Sequence, residues 1–161
     1  MPCNPAQAAE ALYGLLPRAV SRDTLEEYGV EATAAQARQI TRELLSVNLF
    51  WVESALKVSL AKKDAELVFE ALRRRVTADW TSGFGLEGHD PQDYFREVGE
   101  RRQAYDRIVQ DGGEPIAVLM ETVSLLEADG TFGAEVRPKI LGLLVDLVPE
   151  EAIGDAVQEF A

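Results

Sequence analysis

The feature that most constrains this chain is a run of apolar residues at helical spacing between Thr33 and Leu60. Thr33 and Gln36 form a capping box, which marks the start of a helix. Two neighbouring apolar stripes follow at three- and four-residue steps. The first contains Ala37, Ile40, Leu44, Val47, Trp51, Ala55 and Val58, and the second contains Leu45, Leu49, Val52, Leu56 and Leu60. Because the two stripes together are wider than a coiled-coil seam, we predict a long helix at the centre of the fold.

Proline, glycine and N-capping residues divide the rest of the chain into further helical segments. The predicted starts are Asn4-Pro5, Arg22, an N-cap at Asp64, Asp90-Pro91, Pro115, Ala134 and Pro149. Pro138 lies either in the first turn of its helix or at a kink. Since strict alternation with β-branched residues is absent, we predict no sheet. The fold class is all-α: a multi-helix bundle of about seven to eight helices in a single domain, residues 1–161.

The charge of the chain limits the classes of partner. The net charge is −12, and residues 108–161 carry eleven acidic and only two basic side chains. Nucleic-acid binding draws most of its affinity from Lys and Arg, so a nucleic-acid partner is disfavoured. An anionic membrane surface is disfavoured for the same reason.

The chain also lacks the sequence features of membrane or secreted proteins. The most apolar stretch, residues 44–61, contains Asn48, Glu53 and Lys57 and is too polar to span a bilayer. The first residues show no basic segment followed by an apolar core, so we expect no signal peptide. Cys3 is the only cysteine and cannot form an internal disulfide. We therefore expect a cytoplasmic protein.

Common catalytic motifs are missing. The chain has one histidine, no Gly-x-Ser-x-Gly elbow, no phosphate-binding Gly-x-x-x-x-Gly-Lys and no Glu-x-x-His pair. These absences favour a non-enzymatic protein without a cofactor. The alternative that the chain is an enzyme stays open.

His89 is the one candidate for a metal ligand. It lies beside Glu87, Asp90 and Asp93, and imidazole and carboxylate are both common metal ligands. The same residues also fit a helix start, with Asp90 as the N-cap and Asp93 in the first turn. We favour the helix start and predict no metal site.

Two arginines interrupt the apolar stripe of the helix that begins at Pro91. Tyr94 and Tyr105 lie on this stripe, and Arg101 and Arg102 take the positions that would complete it. A buried charge is costly unless it is paired, so internal ion pairs or side chains reaching to the edge of the face are the first interpretation. The alternative is an open groove in which arginine and tyrosine bind an acidic ligand or partner.

The loop from Thr81 to His89 carries two large apolar residues, Phe84 and Leu86, between glycines. If these side chains are exposed, they form an apolar contact patch for a partner. A second expectation is an aromatic cluster near this loop, formed by Phe50, Trp51, Trp80 and Phe84.

These patterns lead to two functional hypotheses. The first is a non-enzymatic protein-interaction role, as an accessory factor, adaptor or assembly chaperone for another protein. The second is a helical domain that binds a small molecule or metal in the inter-helix space near Arg101, Arg102, Tyr105 and His89. The wide double stripe of the long helix is also compatible with a homo-oligomer.

Overall fold

A computed structural model describes residues 3–161 and shows only helices and connecting segments in this range. Eight α-helices follow one another, and a 3₁₀ turn, Ala134–Val136, precedes the seventh. They are α1 Pro5–Leu15, α2 Arg22–Glu27, α3 Ala34–Ser59, α4 Lys62–Ala78, α5 Pro91–Gln110, α6 Pro115–Ala128, α7 Arg137–Leu147 and α8 Glu150–Phe160. The all-α prediction is confirmed. Met1 and Pro2, which the predicted domain includes, lie outside the described residues.

Helix α3 is the predicted long helix and runs for 26 residues. The Thr33 hydroxyl accepts from the backbone N–H of Gln36 at 3.1 Å, and the Gln36 side chain accepts from the N–H of Thr33 at 2.8 Å. Every residue from Glu43 to Phe50 is buried. Because a helix turns through about 100° per residue, eight consecutive buried residues mean that neighbours surround α3 on all sides here.

Most residues of the two apolar stripes of α3 enter two different cores, although Trp51 contacts both cores, Ala55 packs with the second stripe and Val58 is exposed. In the first core, Leu45, Leu49 and Leu56 pack with α1, α4, α8 and the start of α5. In the second core, Ile40, Leu44 and Val47 pack with α2, α6, α7 and the second half of α5. The double stripe therefore exists because α3 is the wall shared by two hydrophobic cores.

Most helix starts follow the sequence prediction, with one correction. Asn4 and Asp90 accept backbone N–H groups as N-caps, and Pro138 lies in the first turn of α7. The prediction that Asp64 caps α4 is wrong, because α4 begins at Lys62 without a side-chain cap. Asp64 lies in the first turn instead, where a carboxylate favours the helix dipole.

The loop between α4 and α5 is folded onto the first core. Phe84 and Leu86 are both fully buried, so they do not form the apolar contact patch considered for this loop. Gly83 N–H donates to the Asp79 carbonyl at 2.8 Å, and Leu86 N–H donates to the Trp80 carbonyl at 3.0 Å. Gly85 has a φ of +62°, which suits glycine.

The aromatic residues form three groups rather than the one predicted. Phe50 contacts Trp51 and Tyr105, with ring centroids 5.0 and 5.2 Å apart. Trp80 contacts Tyr94 and Phe95, and Phe84 contacts Tyr13. The single aromatic cluster was a wrong prediction because Phe50 and Trp80 belong to different cores.

Within residues 3–161, no helix is both long enough and apolar enough to span a membrane.

Candidate functional site

Arg101 is paired inside the interface between α3 and α5. Its guanidinium lies 3.0 Å from Glu43 and 3.3 Å from Glu97, and Glu97 also meets Arg42 at 2.6 Å. The Glu43 side chain is almost inaccessible to solvent. Burial raises the pKa of the Glu43 carboxyl, and the hydrogen bonds from Arg101 oppose this shift. The internal ion pair expected for Arg101 is therefore present.

The other residues of the predicted groove are also engaged within the fold. Arg102 lies 2.5 Å from Glu53. The Tyr94 hydroxyl donates to the carbonyl of Arg42 at 2.8 Å, and the Tyr105 hydroxyl lies 2.9 Å from that of Thr122. Arg101 lies at the α3–α5 interface, whereas Tyr94 and Tyr105 belong to different hydrophobic cores. Five cavities on the described residues are all lined by other side chains.

The residues around His89 serve the start of α5. The His89 carbonyl accepts from the Trp80 indole N–H at 2.9 Å, Asp90 caps α5, and Asp93 pairs with Arg96. Burial lowers the pKa of His89, and nearby arginines act in the same direction. Between residues 3 and 161, no three or more His, Cys, Asp or Glu side chains are grouped so that they would hold a metal ion.

A concave site that the sequence did not reveal lies between the second half of α3, the start of α6 and the first turns of α8. We call it the acidic pocket. Its volume is about 450 Å³, within the range of small-ligand sites. Its lining residues are Trp51, Ser54, Ala55, Val58, Ser59, Pro115, Glu150, Glu151, Gly154 and Gln158.

The acidic pocket is open because small residues face it from both helices. A β-carbon added at Gly154 would have no neighbouring atom within 4 Å, so no side chain fills this part of the gap between α3 and α8. Ser54 and Ala55 leave similar space on α3. Val58, at the outer edge, is 87% exposed.

The charge on the acidic pocket is negative. Glu150 and Glu151 are its two ionisable lining residues, and residues 140–161 contain no lysine or arginine. Burial raises the pKa of Glu150, and the neighbouring Glu151 charge raises it further. Lys139 and Arg137, the nearest cations in sequence, donate to the Gly29 carbonyl and to Glu127. Both glutamates lie in the first turn of α8, where the helix dipole favours their charge, and a bound cation would further reduce the repulsion between them.

Sequence reasoning assigned Trp51, Ala55 and Val58 to an apolar stripe and Glu150 to a helix start, but it did not combine them. The exposure of Val58 became visible only in the structure, and no sequence pattern connects this end of the stripe to α8. Similarity to known proteins does not identify the site either: the chain matches no protein-family model, no curated protein and no solved structure.

Proposed function

We propose that this chain has a non-enzymatic protein-interaction role, as an accessory factor, adaptor or assembly chaperone, and that the acidic pocket receives a basic, partly apolar segment of its partner. The observation that carries the proposal is a mostly apolar concave surface whose ionisable lining residues, Glu150 and Glu151, are both acidic. We further propose that the protein acts in the cytoplasm, in keeping with the sequence.

A lysine or arginine side chain has the chemistry that the acidic pocket would recognise. Its aliphatic stem would pack against Ala55 and Val58, while its charged end would meet the two glutamates. The Trp51 ring in the wall offers a further attraction to a cation, worth about 0.5–1 kcal/mol at an exposed site. Apolar neighbours of the basic residue would cover the exposed Val58.

The overall charge supports the same class of partner. The residues after position 107 carry a net charge of −9, and both α6 and α8 belong to this part of the chain. A field of this sign attracts basic surfaces during encounter and repels nucleic acid. We therefore propose a protein partner rather than a nucleic acid.

The second hypothesis, small-molecule or metal binding near Arg101, Arg102, Tyr105 and His89, receives no support from the geometry. Both arginines are paired with glutamates, and Tyr105 is bonded to Thr122. None of the cavities described above opens among these residues.

Affinity capture with three forms of the protein tests the proposal. Wild type, the double variant Glu150→Gln/Glu151→Gln and the control Glu159→Gln would each be immobilised and exposed to a lysate of the source organism. Glu159 is exposed on the same helix and lies outside the acidic pocket. We expect proteins retained by wild type and by Glu159→Gln to be lost with the double variant, because it removes both charges of the pocket.

The retained proteins should also be released by salt, because the Debye length falls from about 10 Å at 0.1 M to about 3 Å at 1 M. Circular dichroism and melting curves of the three forms establish that each is folded. If the folded double variant retains the same proteins as the wild type, the acidic pocket is rejected as the binding site.

A further inference from the structure

A small concave site lies between the second half of α4 and the first turns of α5. We call it the arginine pocket. Its volume is about 340 Å³, near the lower end of the range for small-ligand sites. Its α4 wall consists of Glu70, Arg73, Arg74 and Thr77, which lie on one face of the helix because they occupy positions i, i+3, i+4 and i+7. The charged side of the pocket is thus a single face of α4.

The α5 wall of the arginine pocket is uncharged and contains a fixed aromatic ring. It consists of Pro91, Gln92 and Phe95. The Phe95 side chain is buried, and its ring centroid lies 5.5 Å from that of Tyr94 and 6.3 Å from that of Trp80. Because these neighbours hold the ring in place, the pocket has a firm apolar surface opposite its charged wall.

Arg73 is held by the Phe95 ring rather than by an ion pair. Its guanidinium carbon lies 4.7 Å from the ring centroid. No carboxylate of residues 3–161 lies within 4.0 Å of this guanidinium. The N–H groups of a guanidinium lie in its plane, so stacking on a ring leaves them available to an acceptor. Arg73 therefore brings a positive charge to the pocket that no internal carboxylate balances.

The charged lining residues of the arginine pocket carry one net positive charge. Arg73 and Arg74 are basic, and Glu70 is acidic. Arg74 lies 3.7 Å from the Glu70 carboxylate, and these two side chains are 78% and 50% exposed, so their ion pair is loose and weak. Glu70 offsets one of the two arginines, and the remaining charge favours an anionic ligand.

The acidic residues at the start of α5 do not line the arginine pocket and have partners of their own. Asp90 accepts the backbone N–H of Gln92, and Asp93 pairs with Arg96. Both walls of the pocket belong to residues 57–107, which contain ten basic and ten acidic side chains and are neutral overall. The net charge of −12 therefore arises elsewhere in the chain.

We propose that the arginine pocket binds a small monocarboxylate with a compact apolar body. Its carboxylate accepts N–H groups of Arg73 and Arg74, and its apolar part packs against Phe95 and Pro91. A surplus of one positive charge matches a monoanion, and the planar guanidinium fork matches the two oxygens of a carboxylate. The small volume limits the size of the apolar part. This site is separate from the acidic pocket and does not depend on the partner proposed there.

Nuclear magnetic resonance titration with three probes at constant ionic strength tests this inference. Phenylacetate and 2-phenylethanol share a benzyl group and differ in charge. We expect amide shifts concentrated in residues 70–77 and 91–95, and an affinity for phenylacetate about tenfold above that for 2-phenylethanol, equivalent to about 1.4 kcal/mol. Phenyl phosphate carries roughly −1.5 to −2 charges at pH 7, more than the surplus balances, and should bind no more tightly than phenylacetate.

Three variants assign the charge effect to the arginine pocket. Arg73→Gln should remove the advantage of phenylacetate over 2-phenylethanol. Glu70→Gln should raise the affinity for phenylacetate by about two- to fivefold, because it removes the carboxylate from the wall. The control Lys63→Gln removes one positive charge from the same helix and should change neither affinity, since Lys63 is exposed and does not line the pocket.

The amide spectrum establishes that each variant is folded. Equal or tighter binding of 2-phenylethanol, tighter binding of phenyl phosphate, shifts centred outside the pocket, or no saturable binding of phenylacetate would overturn the inference. The same holds if folded Arg73→Gln keeps the advantage of phenylacetate, if Lys63→Gln loses it equally, or if Glu70→Gln fails to bind phenylacetate more tightly.

Discussion

At the scale of single residues, Asn48 is the least expected side chain in the fold. It is fully buried in the middle of α3, and neither its amide nitrogen nor its amide oxygen has a hydrogen-bond partner within residues 3–161. An unsatisfied buried polar group costs about 1–3 kcal/mol. In the sequence, Asn48 is visible only as a polar residue within a hydrophobic stretch, and nothing there predicts that it is buried.

Asn48→Leu should therefore stabilise the protein. Leucine has a similar size and shape and removes the two unpaired polar atoms, so we expect the free energy of unfolding to rise by about 1–2 kcal/mol. Urea denaturation measures this change, with Gln103→Leu on the exposed face of α5 as the control. The control should stay within about 0.5 kcal/mol of wild type. A loss of stability in Asn48→Leu would show that the amide has a partner in solution, such as an internal water molecule.

At the scale of helices, the ion pairs between α3 and α5 fix how the two cores meet. Arg101 belongs to α5, its partner Glu43 belongs to the most buried part of α3, and Glu97 connects Arg101 to Arg42. Replacing a whole buried pair with apolar residues is often neutral, whereas removing one partner leaves an uncompensated charge. The arrangement therefore predicts a large effect for a single substitution and a smaller one for the double substitution.

Arg101→Gln should destabilise the protein by about 2–3 kcal/mol at neutral pH, less than a fully buried pair would lose, because the Arg101 side chain keeps 24% exposure. Arg101 lowers the pKa of Glu43, which burial raises, so its removal raises that pKa further. A group whose folded pKa is raised contributes stability below its unfolded pKa and loses it as the pH rises. The loss of stability in Arg101→Gln should therefore become smaller as the pH falls towards the pKa of an ordinary glutamate.

Urea denaturation across the acidic to neutral range measures this pH dependence. Arg101→Gln/Glu43→Gln should recover part of the lost stability and show a weaker pH dependence, and Arg107→Gln on the exposed side of α5 serves as the control. A deficit that is constant with pH would contradict the assignment to Glu43.

At the scale of the whole molecule, sequence reasoning reached the helices more easily than their arrangement. The capping box at Thr33 and the proline starts at Pro91 and Pro115 depend on a few neighbouring residues, so local chemistry determined them. The burial of Phe84 and the packing of α8 beside α3 depend on contacts between residues far apart in the chain. No local pattern contains that information.

The acidic pocket illustrates the same limit. Its charge was visible in the sequence as an acidic last third, and its apolar wall was visible as a stripe on α3. Its shape was not visible in the sequence, because Gly154 leaves a gap only when α8 lies against Ala55 and Trp51.

Site-specific photo-crosslinking at Val58 tests the central claim most directly. A benzophenone amino acid in place of Val58, at the edge of the acidic pocket, would be compared with the same residue in place of Leu67, which is exposed on α4 and outside the acidic pocket. We predict that position 58 yields a crosslinked partner peptide with lysine or arginine beside apolar residues, and that Glu150→Gln/Glu151→Gln abolishes this product. No product at position 58, the same product at position 67, or a crosslinked peptide without basic residues would contradict the account.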